Sequence, residues 1–127
     1  GAASFPPYMA TTNGILFAGT VEGGMADPQT GSLYALSAKT GKPMWSIPID
    51  GGVNSGPIAA PGVVYTAGGN QVKGNGKPVH GIIEAWEPTT HKKLWSYASK
   101  DFMGNMTVVP GSRVYASGGG YLYSLGA

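Results

Sequence analysis

The sequence predicts an all-β chain assembled from repeated four-stranded antiparallel sheets. Three observations predict it. Glycine takes 22 and proline 10 of the 127 positions, and together they interrupt nearly every stretch long enough to become a helix. Between them stand short runs of β-branched and aromatic residues. The chain also repeats itself at one fixed offset.

Eleven strands are expected, taken in chain order as four, four and three. The first group is 8–11, 15–20, 33–36 and 44–49. The second is 56–60, 63–67, 82–86 and 94–97. The third is 103–109, 114–117 and 121–125. Asn13-Gly14, Pro61-Gly62 and Pro110-Gly111 supply the tight turn between the first two strands of each group. Thr40-Gly41 makes a later hairpin, with Gly41 taking the left-handed conformation that glycine adopts without steric cost. His91 stands at the matching place in the second group. It implies strain or a different turn there, and as an exposed turn residue it is no metal ligand.

The repeat is explicit. Gly31, Ala35, Thr40, Lys42 and Trp45 are followed 50 residues later by Gly81, Ala85, Thr90, Lys92 and Trp95. A third copy echoes the first in Pro110 to Tyr115 and in Gly120 to Leu125, then stops before a third tryptophan. Four antiparallel strands per repeat of this length is the arithmetic of a β-propeller blade. The expected blades run over about 5–49 and 53–97, with a partial one over about 102–127, close to two and three-quarter blades. Propellers take four to eight blades, so this ring is incomplete. The expected partners are the remaining blades of a larger propeller, of which these would be the last, or other copies of the chain.

Composition narrows the field. Lys and Arg number 8 and Asp and Glu 6, or 11% of the chain, against a usual share of roughly 25%. This excludes coiled coils and helical bundles. A net charge of +2 with 10% aromatic residues argues against disorder. No apolar run approaches the roughly 18 residues of a membrane span. Cysteine is absent, so there is no disulfide, thiolate nucleophile or cysteine-bound zinc. The densest basic group is His91-Lys92-Lys93, too small for a nucleic-acid surface. Few carboxylates limit the charge gained on acidification and suit acidic or salty surroundings outside the cytoplasm. Residues 1–4 carry no signal-peptide features, as expected of a processed form or a segment.

Gly31 to Trp45, reading G-S-L-Y-A-L-S-A-K-T-G-K-P-M-W, resembles the pyrroloquinoline-quinone-type (PQQ-like) propeller repeat. Ser37 stands where the family commonly has Asp, and the second copy has Trp86 for Leu and His91 for Gly. The resemblance implies that Trp45 and Trp95 pack between adjacent blades as docking residues, and that Ala35 and Ala85 let neighbouring sheets approach. It implies an exported protein, periplasmic or extracellular. The function expected is a binding or assembly scaffold. The alternatives are the C-terminal part of a quinoprotein alcohol or sugar dehydrogenase or of an acidophile tetrathionate hydrolase, or a structural surface or filament subunit. No quinone or calcium ligand set is evident in this segment. Such a cofactor would need ligands from other blades.

Function in this architecture sits on loops at one face and along the axial channel. The loops at 21–30, 68–80 and 118–119 collect there, with the inter-blade connections 50–55 and 99–105. The first two are about ten residues longer than the third, which marks a decorated side. Asn54, Ser55, Asp101 and Asn105 are the candidate ligand-binding residues, although Asx-turns and strand caps explain such residues too. Met103 and Met106 read as blade core. Glu84 and Glu87 point to opposite faces and form no carboxylate pair. His80 has no metal-spaced companion. Gly74-Asn75-Gly76 lacks the strand-to-helix context of a phosphate loop. No catalytic residue is assigned.

Overall fold

In the computed structural model, the described residues are 9–21, 30–50, 52–53, 56–70, 80–99, 105–108, 113–118 and 121–126. They form eleven strands and, among the described residues, no helix. The strands are β1 (Ala10–Thr12), β2 (Ile15–Gly19), β3 (Thr30–Ser37), β4 (Pro43–Asp50), β5 (Ile58–Ala60), β6 (Val63–Asn70), β7 (His80–Trp86), β8 (Lys93–Ser99), β9 (Asn105–Val108), β10 (Arg113–Gly118) and β11 (Tyr121–Gly126). They build three antiparallel meanders: β1-β2-β3-β4, β5-β6-β7-β8, and β9-β10-β11. These are propeller blades, and the three do not close a ring.

All eleven expected strands are present, with shifted ends. β6 runs on through Gly68 and Gly69 to Asn70, and β7 starts at His80. The glycines had argued for loop, but Gly68, Gly69 and Asn70 pair with Ile82, Gly81 and His80. A ladder needs only backbone groups, and the partner strand supplies them. β3 likewise begins at Thr30, opposite Asp50 of β4. The Pro110-Gly111 turn lies outside the described residues.

The turns follow their sequence chemistry. Asn13 and Gly14 both have positive φ, at 55° and 71°, as a two-residue hairpin with matching twist requires. The 37–42 and 87–92 hairpins share one geometry. Ser37 N–H bonds to Lys42 O and Gly41 N–H to Ser37 O, while Glu87 N–H bonds to Lys92 O and His91 N–H to Glu87 O. Gly41 has φ 73° and His91 φ 52°. His91 therefore makes the same turn as glycine and carries the strain of a side chain in that region.

Alternation along the strands gives each sheet two faces. Ile15, Phe17, Leu33 and Ala35 of the first sheet form one buried cluster with Ile49, Val53 and with Val64 and Trp86 of the second. Tyr65 and Ala85 cluster with Val114 of the third, and Ala67 and Ile83 with Ala116. The core thus lies between sheets, each stacking its front on the back of the next. The inner strands β1, β5 and β9 run close together in succession, which places the propeller axis beside them.

Candidate functional site

Trp45 opens the regular part of β4 and pairs with Ala35, as Trp95 pairs with Ala85 on β8. In both sheets the register slips just beyond this pair, leaving Met44 and Leu94 as bulged residues. Ala35 and Ala85 are buried, so no bulk separates the indole from the sheet beneath it. Trp45 packs 5.8 Å from Phe17 and 5.2 Å from His91, ring centre to ring centre. Its Nε1–H donates to Pro88 O at 3.1 Å. One side chain thereby joins the fourth strand of the first sheet to the hairpin of the second. Trp95 stands 6.0 Å from Tyr65 and, like Leu125 of the third sheet, packs against the buried cluster of Tyr65, Ala85 and Val114. Burial pushes the Tyr65 phenol above its ordinary range.

The crossing between the first two sheets is pinned by backbone. Thr20 is buried; its N–H donates to Ser32 O and its hydroxyl accepts from Ser32 N–H. Its carbonyl accepts from Val53 N–H at 3.1 Å. Gly31 lies against that same carbonyl, where a Cβ would collide with the oxygen. Gly31 is therefore glycine for close approach. Gly52, at φ 74°, turns the chain into Val53, which is fully buried.

Asn54, Ser55 and Asp101 lie outside the described residues, as do Met103 and most of the long loops. Asn105 is the first residue of β9, opposite Ser117 of β10, so its backbone is at the axial end of the third sheet. The structure does not bring these four together in a described arrangement. Among the described residues no group of three His, Cys, Asp or Glu gathers as metal ligands. Glu87 is a turn residue: its carboxylate accepts from Thr89 N–H, Thr90 N–H and the Thr90 hydroxyl. Those bonds, the hydroxyl's first, hold its carboxyl below the usual glutamate range. Thr40 N–H uses Ser37 Oγ in the same way.

The backs of the first two sheets differ. On the second, Glu84 is 3% exposed and pairs with Lys93 Nζ at 2.6 Å. The same ammonium lies 5.3 Å from the Trp86 ring centre, and Trp86 Nε1–H donates to Thr66 Oγ1. On the first, the equivalent positions hold Tyr34, Pro43, Leu36 and Ala18. With Met9, Leu16 and Met44 they line a recess of about 600 Å³. Sequence reading missed both features. The signal was available in the aligned repeats, where Tyr34 and Pro43 are replaced together by Glu84 and Lys93.

Residues 3–75 match the family described as outer membrane protein assembly factor BamB, a PQQ-like repeat family. The match covers more than half of the chain and takes in the first sheet and the inner strands of the second. The chain belongs to this family. Comparison with individual curated proteins returns no match. In this BamB-type chain the repeat's glycine, alanine and tryptophan positions are those that set close approach, sheet stacking and the indole bridge.

Proposed function

We propose that this chain acts as a scaffold segment outside the cytoplasm, holding segments of partner proteins at the rim of a propeller. The observation that carries the reading is the match to a family described as an assembly factor. The Thr20–Val53 clamp supports it, a fixed crossing between the first two sheets that adjoins in sequence the polar, glycine-rich stretch 22–29 and the pair Asn54-Ser55. Asn54, Ser55, Asp101 and Asn105 are the residues proposed to contact a partner, through side-chain amide, hydroxyl and carboxylate groups suited to an extended backbone.

The test is a titration of the chain with extended peptides of alternating apolar and polar residues, read by tryptophan fluorescence. Saturable binding, weakened about tenfold or more by combined Ala substitution of Asp101 and Asn105, is the expected result. Dye reduction with alcohols or sugars, or consumption of tetrathionate, would overturn the scaffold reading in favour of an enzyme.

A further inference from the structure

We infer that the hairpin end of the sheets is a docking face for an anionic lipid surface, held through lysine and arginine and entered by exposed apolar side chains. The inference concerns where the chain sits and stands apart from the rim-binding reading above.

The topology sorts the charge. Lys39 and Lys42 belong to the 37–42 hairpin, while Lys92 and Lys93 end the matching 87–92 hairpin and open β8. Arg113 opens β10 beside Val114, which clusters with Tyr65 and Ala85 near that same end of the second sheet. The two hairpins are neighbours, since Trp45 reaches from one to Pro88 and His91 of the other. These five are all the lysines and arginines among the described residues, and each is exposed. They stand at the end of the sheets away from the Thr20–Val53 clamp. Sequence order hides the grouping, because three sheets must stack before these residues meet.

Few anions answer them. Glu87 directs its carboxylate to Thr89 and Thr90 within its own turn. Glu84 lies buried with Lys93, and Asp50 stands at the far end of β4. The hairpin end is therefore positive, and a positive face attracts the phosphates of an anionic bilayer.

Met44 and Leu94 make it more than a charged face. They are the bulged residues just beyond Lys42 and Lys93, and both are 49% exposed. The second sheet has a neighbour on either side, so the exposure of Leu94 belongs to the repeat itself. Lysine beside an exposed apolar side chain suits the headgroup layer, with the ammonium on phosphate and the apolar group among the upper acyl carbons. A nucleic-acid backbone offers no such layer to Met44 and Leu94.

Vesicle flotation tests this with the chain as it is. Vesicles of phosphatidylcholine alone should leave it free, and vesicles containing phosphatidylglycerol should carry it. Binding should fall as salt is raised beyond about 0.15 M and screening shortens below about 8 Å. Lys42→Gln with Lys92→Gln should weaken binding about tenfold or more. The β-sheet circular dichroism should be retained, since both residues serve their hairpins through backbone groups. Thr30→Glu with Ala98→Glu makes the same change in net charge at exposed positions toward the opposite ends of β3 and β8. That pair should weaken binding less than about threefold. Leu94→Ser should weaken it about fivefold or more. Equal binding to both kinds of vesicle, an equal loss from the Thr30 and Ala98 pair, no effect of Leu94→Ser, or tighter binding to duplex DNA or polyglutamate than to the anionic vesicles would each overturn the inference.

Discussion

At the scale of single residues, the fold rests on a few side chains that link neighbouring sheets. Trp45→Phe keeps the ring but leaves the buried Pro88 carbonyl without its donor. The expected cost is about 1–2 kcal/mol in urea unfolding. His91→Gly removes a left-handed side chain at the expense of its contact with Trp45. The strain is worth about 1–2 kcal/mol and the ring contact somewhat less, so a net gain below about 1 kcal/mol is expected. Glu87 supplies a pH signature. Its carboxyl titrates lower in the folded chain than in the unfolded one, because Thr90 and Thr89 donate to the charged form. That contribution is fully present above the ordinary glutamate range and is lost as pH falls through the depressed value. Glu87→Gln should flatten this part of the acid limb of a melting-temperature profile.

At the scale of elements, the Glu84–Lys93 pair distinguishes the back of the second sheet from that of the first. Lys93→Met leaves a carboxylate buried between sheets with no cation. A cost on the order of 2–4 kcal/mol is expected, tempered by the half-exposed ammonium it replaces. Glu84→Leu added to it should recover most of the loss, a non-additivity that a double-mutant cycle measures. Gly31→Ala should be worse than a strand glycine normally is, because the colliding atom is the Thr20 carbonyl, itself tied to Val53. The strands were legible because their turns are written in local chemistry: Asn13-Gly14, Pro61-Gly62 and the Thr40-Gly41 hairpin. Strand ends were less so, since Gly68 and Gly69 extend β6 only by pairing with distant Ile82 and Gly81. The candidate site was less legible still. Asn54 and Asp101 were placed by loop position alone, and nothing in local sequence reports which long-range neighbours a loop meets. The contrast between Tyr34 and Glu84 became meaningful only once their shared place on the back of a sheet was known.

At the scale of the whole molecule, each sheet's core is shared with its neighbours, so stability is a sum over junctions as in other repeat architectures. Trp45→Ala should cost roughly 3–5 kcal/mol and act mainly at the first junction. Hydrogen exchange should then show β1 to β4 losing protection while β6 and β7 retain theirs. The bulges at Met44 and Leu94 bear on how such a body avoids fibrillar growth. They sit on β4 and β8, the strands farthest from the axis, whose outer sides pair with no strand among the described residues. A kink in each, reinforced in β4 by Pro43 and Pro48, spoils the straight hydrogen-bonding template that a stray strand would copy. The circumference is thus guarded against runaway cross-β stacking.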